Sequence, residues 1–279
     1  NTLDEPMSDS AIVPTYILSR EARKRGVKVL LSGAGGDELF GGYSRHFPGR
    51  IGSAAWIAHH AWARVPFSWV VGRSHPHWGR RFATPARNFA VMVSGANLEF
   101  LHQALRDRNQ YDELIERFEK DFIMSNEKSL GDRMRMDLDN YLPNNVLALT
   151  DKATMAASVE GRVPLLDHRI VEFAYSLPSG VNLFDGSEKG LFKHVLKKYL
   201  PTSVLTRRKE GFNAPINTWV EQDSQMIGRE LLGDSAPLIE DLIDLKVVKK
   251  WLDNSNQCRY SGDSMYALYL MNRWLKKHG

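Results

Sequence analysis

A short apolar run that passes directly into a glycine-rich, acidic turn constrains this chain more than anything else in it. Val27, Val29, Leu30 and Leu31 are followed by Ser32-Gly33-Ala34-Gly35-Gly36-Asp37-Glu38 and, soon after, by Gly41-Gly42-Tyr43. A run this short, with β-branched residues and glycines at its borders, predicts a buried strand of a parallel sheet. The residues ahead of it predict a helix: Pro14 suits a first helical turn, Tyr16, Ile17 and Leu18 supply apolar cover, and Gly26 closes it. Helix, strand and glycine loop is the order in which an α/β sheet presents a ligand at a strand's carboxyl end. Glycines let backbone N–H groups approach an anion. Two carboxylates in the same turn suit a hard cation such as Mg²⁺ beside phosphates. The competing reading is a tight turn whose acids cap the helix that follows.

Beyond about Gly52 the pattern becomes helical. Apolar residues recur at three- and four-residue spacing over 98–105, 111–122 and 130–142, and further helices are expected over 146–159, 169–176, 191–199, 216–232 and 266–277. Ala, Trp and His over 54–63 read the same way, and 66–85, with its Pro, Gly and Ser, reads as an irregular surface segment. The expected class is α/β but predominantly helical: an α/β nucleotide-site portion over 1–50 and a mainly helical remainder over 51–279. With 279 residues, 43% of them hydrophobic, the chain has room for one large domain or two smaller ones. Its 37 basic against 33 acidic residues leave only +4, without a cationic face carrying interleaved aromatics, which argues against nucleic acid. The single cysteine, Cys258, excludes an internal disulfide and a Cys-rich zinc site and fits a reducing cytoplasm. No apolar run approaches the ~20 residues of a membrane span, so no membrane is expected. Asn1 in place of an initiator methionine implies a start partway through a longer chain.

Two later segments carry polar residues in unexpected places. Asp151, Lys152, Thr154 and Ser158 interrupt a helix otherwise made of Ala, Leu, Met and Val, with Glu160 and Arg162 just beyond, before Val163-Pro164. Close packing around small side chains implies that these groups are at least partly buried, either as an ion-pair network or as substrate contacts. Pro143, ahead of them, reads as a helix start. Near Gly190 another helix begins, with Lys193 in its first turn, a poor place for a cation unless an anion is near. A solvated lysine is the alternative, and Lys189 is the close competitor for an anion.

These segments together resemble the asparagine synthetase family. The run from Leu31 to Tyr43 is similar to that family's second signature, and the run from Asp151 to Asp167 resembles its Asp-Arg/Lys-Ala-Ser/Thr-Met…Glu-x-Arg-Val-Pro-Leu/Phe-Leu-Asp signature. Arg207 to Phe212, with Pro215 and Trp219, looks like a further family element packed beneath the site. The resemblance implies a parallel-sheet domain like that of the adenine-nucleotide alpha-hydrolases, Ser32 and Gly33 in contact with ATP, and Asp37 on Mg²⁺ through the pyrophosphate. It places Lys193 on the pyrophosphate, and Glu38, which matches in type, with the catalytic residues. Ala34 departs from the pattern, since many relatives carry an acid there. The implied reaction converts a small-molecule carboxylate, aspartate or another, into an amide through an acyl-adenylate. The family's first nucleotide loop, Ser-Gly-Gly-x-Asp-Ser, and its amino-terminal glutaminase portion have no counterpart in the 279 residues. The chain by itself is therefore expected to bind ATP weakly and not turn over, and a homodimer of the full-length protein stays open. A ligase for another acceptor, or a non-catalytic binding module, are the alternatives. Ser8-Asp9-Ser10-Ala11 lacks the arginine that some bacterial relatives use for the aspartate carboxylate.

Overall fold

The computed structural model describes residues 3–47, 98–107, 130–178, 187–207, 211–233, 237–253 and 262–278, with isolated positions between 109 and 184. The expectations for 54–63 and 66–85, and most of that for 111–122, fall outside the described residues. In chain order the elements are α1 (Ile12–Lys24), β1 (Val29–Leu31), α2 (Gly36–Phe40), a 3₁₀ turn (Ser44–His46), α3 (Leu98–Ala104), α4 (Leu130–Met136), a π-helical stretch (Asp137–Leu147) and α5 (Ala148–Ala156). There follow β2 (Glu160–Arg162), a second 3₁₀ turn (Pro164–Leu166), α6 (His168–Ser176), α7 (Gly190–Leu196) and α8 (Thr202–Leu205). The last are α9 (Ile216–Gln222), α10 (Ser224–Leu232), α11 (Pro237–Glu240), α12 (Leu245–Asp253) and α13 (Gly262–His278). The chain is thus mostly helical with a small parallel sheet. No helix among the described residues is long and apolar enough to cross a membrane.

Two compact units share the chain, and both are discontinuous in sequence. One comprises Asn1–Pro14, Ala83–Lys120 and Asn213–Gly279, the other Thr15–Phe82 and Asp121–Phe212. The first is a helical unit around Phe100, Val220, Leu231, Val248, Trp251 and Met265, with Phe100 edge-on to Trp251 at 5.2 Å. Its helix over 216–232 is two helices, broken at Asp223, whose N–H donates to the Trp219 carbonyl and whose carbonyl accepts from Ile227. Ile216, Val220, Ile227 and Leu231 are buried across the break. Because both halves present the same apolar face, periodicity alone reads through the kink.

The second unit holds the sheet. β1 and β2 pair in parallel, with Val29 opposite Glu160, Leu30 opposite Gly161 and Leu31 opposite Arg162. Ser32 N–H donating to the Arg162 carbonyl at 2.7 Å carries the ladder one residue further, to the mouth of the glycine turn. The strand is parallel as expected but not buried: Val29 and Leu31 are 38% and 73% exposed, because the described sheet has two strands and little covers them. β2 was not expected as a strand, since three residues of sequence Glu-Gly-Arg carry no apolar alternation. Gly161 is what lets it lie flush on α5, for a Cβ there would sit 3.1 Å from Thr154 Oγ1.

The α4–π–α5 run also corrects an expectation. Pro143 sits inside the helical stretch, not at its start. Proline gives up one backbone bond in either kind of helix; in the α-helical interior its ring would also clash with the carbonyl four residues back, and the stretch here is π-helical, with bonds running five residues back. Of the polar residues of α5 expected to be at least partly buried, Thr154 is buried and Lys152 half-buried, while Asp151 is exposed. Ser158, just beyond the helix, is exposed with φ at 57°. Glu160 and Arg162 do pair, at 2.8 Å, but on the surface.

Candidate functional site

The turn after β1 is shaped by contacts that only glycine permits. Gly35 has φ at 90°, and a Cβ on it would lie 2.3 Å from Leu166 Cδ2, on the 3₁₀ turn behind β2. A Cβ on Gly36 would meet Leu165 at 3.1 Å. The two turns therefore pack backbone against side chain, which brings the first signature segment against the second. Within the loop, Ala34 N–H donates to Ser32 Oγ at 3.2 Å and Gly36 N–H to the Gly33 carbonyl at 3.2 Å. Gly33 is exposed, and nothing lies within 4 Å of where its Cβ would be. Gly35, not an acid, occupies the N-cap of α2, and it makes no side-chain cap. Asp37 and Glu38 lie in the first helical turn, and their carboxylates are engaged elsewhere.

Asp37 meets Lys189: Nζ lies 2.8 Å from Oδ1, with the side chains 22% and 15% exposed. Lys189 stands at the N-cap of α7 with φ at 55°, and its N–H donates to the Gly41 carbonyl at 3.1 Å. α7 is held against α2 by Phe192 stacked on Phe40, centroids 4.8 Å apart and planes within 5°. Gly42 makes the pair possible, since its Cβ would fall 1.8 Å from Asp37 Oδ1 and 2.3 Å from Lys189 Cε. Lys193 follows one helical turn later, half-buried, its N–H on the Lys189 carbonyl at 2.8 Å. The lysine brought to Asp37 is thus Lys189.

Glu38 turns inward. It is 2% exposed and accepts a hydrogen bond from Tyr43 Oη at 2.7 Å. Burial, with the Glu38 carboxylate beside it, drives the Tyr43 hydroxyl far above the ordinary range for a phenol. Behind Tyr43 lies a polar cluster that sequence reasoning did not pick out. Arg45 caps the Tyr43 ring at 3.8 Å and the Tyr141 ring at 4.6 Å, and its Nε donates to Asp137 Oδ2 at 2.8 Å. His46 Nε2 lies 2.6 Å from the same oxygen, and Asp137 is 0% exposed. The available signal was slight: an Arg-His pair two residues past a Gly-Gly-Tyr, and an aspartate four residues before a tyrosine.

These residues fit a Mg²⁺–phosphate ligand in kind. No group of three or more metal-ligating side chains exists among the described residues, but Mg²⁺ is commonly held by one or two carboxylates together with substrate phosphates and water. Asp37, in a glycine turn and beside a lysine, is a carboxylate of the kind such a site uses. The cradle that a Gly42 Cβ would fill keeps both charged groups together.

The sequence matches the asparagine synthase family over residues 1–276. It is 29% identical over 98% of its length to a Mycobacterium tuberculosis protein provisionally named a glutamine-hydrolysing asparagine synthetase, covering 42% of that protein. It is likewise 29% identical over 83% of its length to glutamine-hydrolysing asparagine synthetase 1 of Bacillus subtilis, covering 38% of it. A shorter match, 56% identical over 46 residues, is to a protein of Methanocaldococcus jannaschii named in the same way. The chain spans about two fifths of the length of the curated relatives it matches along most of its own.

Proposed function

The chain belongs to the asparagine synthase family, and on that premise we propose that it is the later part of an ATP-dependent, amide-forming ligase that makes asparagine from aspartate with glutamine as amide donor. The substrate carboxylate attacks the α-phosphorus of ATP, forming an acyl-adenylate as the bond to the β-phosphate breaks and pyrophosphate leaves. Ammonia then adds to the acyl carbon, AMP departs with the bonding pair, and the amide remains. The fold would be the adenine-nucleotide hydrolase-like sheet, of which β1 and β2 are two parallel strands, and the working place a reducing cytoplasm. A glutaminase portion in the longer protein would supply the ammonia.

The observation that carries this reading is the Asp37–Lys189 pair at the carboxyl end of β1, 2.8 Å apart. Ser32 and Gly33 offer backbone to the nucleotide from an open loop. Asp37 would hold Mg²⁺, which neutralises charge on the diphosphate. Lys189, with Lys193 one turn behind, places cations where negative charge grows on the leaving group. Glu38 acts from behind the turn, through Tyr43. Calorimetric titration with ATP and Mg²⁺ tests the site: the Mg²⁺-dependent part of binding should vanish in Asp37→Ala and weaken in Lys189→Ala. Equal binding by Asp37→Ala would sink the reading. A ligase for a different carboxylate is favoured by one feature, the absence of an arginine at Ser8-Asp9-Ser10-Ala11, and a carboxylate screen of the full-length protein separates the two.

A further inference from the structure

The Asp37–Lys189 pair is held through the turn that follows it. Asp37 carbonyl accepts from Gly42 N–H at 2.9 Å, and Gly41 carbonyl accepts from Lys189 N–H at 3.1 Å. Gly41 and Gly42 thus set where both charged residues stand. Three of the next four residues are fastened in turn. Tyr43 reaches back to Glu38, and its ring meets Tyr141 edge-on at 5.9 Å. Arg45 and His46 both end on Asp137, at 2.8 and 2.6 Å, while Arg133 Nη1 donates to the His46 carbonyl at 3.3 Å. Asp137 is the first residue of the π stretch and has no exposed surface. Its carboxylate takes the two side chains, Arg45 and His46, that help tie the 43–46 turn to the long helix.

We infer that Asp137 is a positioning residue for the diphosphate end of the site: by holding Arg45 and His46 it fixes the Gly41–Gly42 backbone on which the approach of Lys189 to Asp37 depends. A buried carboxylate with two cationic or ring N–H partners is costly to the fold unless both are kept. Here the pair sits one short turn from residues proposed to meet a ligand. Outer residues that orient ligating groups typically change metal affinity about 10- to 100-fold when altered. The inference rests on the reading of Asp37 and Lys189 as the diphosphate site.

The test is titration of the chain with inorganic pyrophosphate and Mg²⁺, with thermal unfolding run on every variant. Asp137→Asn, measured below its own unfolding transition, should bind about 10-fold more weakly or worse. Leu149→Ala, which truncates a buried side chain of α5 outside this network, supplies the comparison: with a similar fall in Tm it should bind as wild type does. Undiminished affinity in Asp137→Asn, or a loss no larger than that of Leu149→Ala, overturns the inference while leaving the diphosphate reading intact. Absence in wild type of any binding that Asp37→Ala removes overturns both. If Asp137→Asn does not fold, Arg45→Lys, which keeps the cation and loses the guanidinium fork, is expected to weaken binding in the same direction, and wild-type affinity there overturns the inference equally.

Discussion

A single methyl group at residue 42 would fill the space in which Asp37 and Lys189 meet. Gly42 does not lie in the left-handed region, so alanine meets no backbone objection there, yet its Cβ would fall 1.8 Å from Asp37 Oδ1. Gly42→Ala is therefore expected to part Asp37 from Lys189, cost about 1–3 kcal/mol of stability as overpacking does, and abolish Mg²⁺-pyrophosphate binding in calorimetry. Gly33→Ala is the opposite case. Its Cβ would meet nothing within 4 Å, so urea unfolding should change by less than about 0.5 kcal/mol. If ATP lies against the Gly33 backbone, its affinity should still fall. The buried Tyr43 gives a pH signature. Its folded pKa is raised above 10.0, so the unfolded chain loses the proton first as pH rises. Stability from this group is complete below pH 10 and declines above it, by up to about 1.4 kcal/mol per pH unit. Tyr43→Phe should be less stable at neutral pH, because Glu38 loses its donor, and should show a shallower decline between pH 10 and 11 in denaturant titrations.

At the scale of elements, the contact between the glycine turn and the 3₁₀ turn behind β2 decides how the two signature segments meet. Gly35 carries both a left-handed φ of 90° and a neighbour, Leu166 Cδ2, that occupies its Cβ position. Gly35→Ala should lose about 1–2 kcal/mol to backbone strain and more to the clash. Adding Leu166→Ala removes the clash but not the strain. The double variant is thus expected to be less destabilised than the sum of the singles, with a coupling of about 0.5–3 kcal/mol in a urea double-mutant cycle. Strict additivity would mean that the turns do not touch. This contact also marks what the sequence could and could not reveal. Glycine spacing pointed to the turn and its acids, because few residue types tolerate such backbone. Local sequence favoured Lys193 over Lys189 for the anion and named no lysine for Asp37, since which lysine reaches Asp37 depends on how Phe192 stacks on Phe40, a contact between distant segments. β2 and the π stretch were hidden for a different reason: Glu160–Arg162 has no alternation to read, and Pro143 inside a helix contradicts local propensity that tertiary packing overrides. The network on Asp137 joins residues 91 and 92 positions apart, beyond the reach of any local pattern.

For the whole molecule, the question is which part of the reaction this length of chain can support. The described site lies in the unit made of Thr15–Phe82 and Asp121–Phe212, where Asp37 and Lys189 meet, the two groups proposed for the diphosphate. Nothing in the 279 residues repeats the Ser-Gly-Gly-x-Asp-Ser loop that the family places on the nucleotide, and the curated relatives run to more than twice this length. Exchange of labelled pyrophosphate into ATP needs the acyl-adenylate to form and reverse, so it requires the α-phosphate and the carboxylate to be held together with the diphosphate. Binding of Mg²⁺-pyrophosphate needs only the diphosphate end, which Asp37 and Lys189 are proposed to form. The chain alone is therefore expected to bind Mg²⁺-pyrophosphate, to bind ATP no more tightly than pyrophosphate, and to show no aspartate-dependent exchange, whereas the full-length protein shows it. Exchange catalysed by these 279 residues would mean that the adenylate end is built from groups within them, and the phosphate machinery would not be divided in this way.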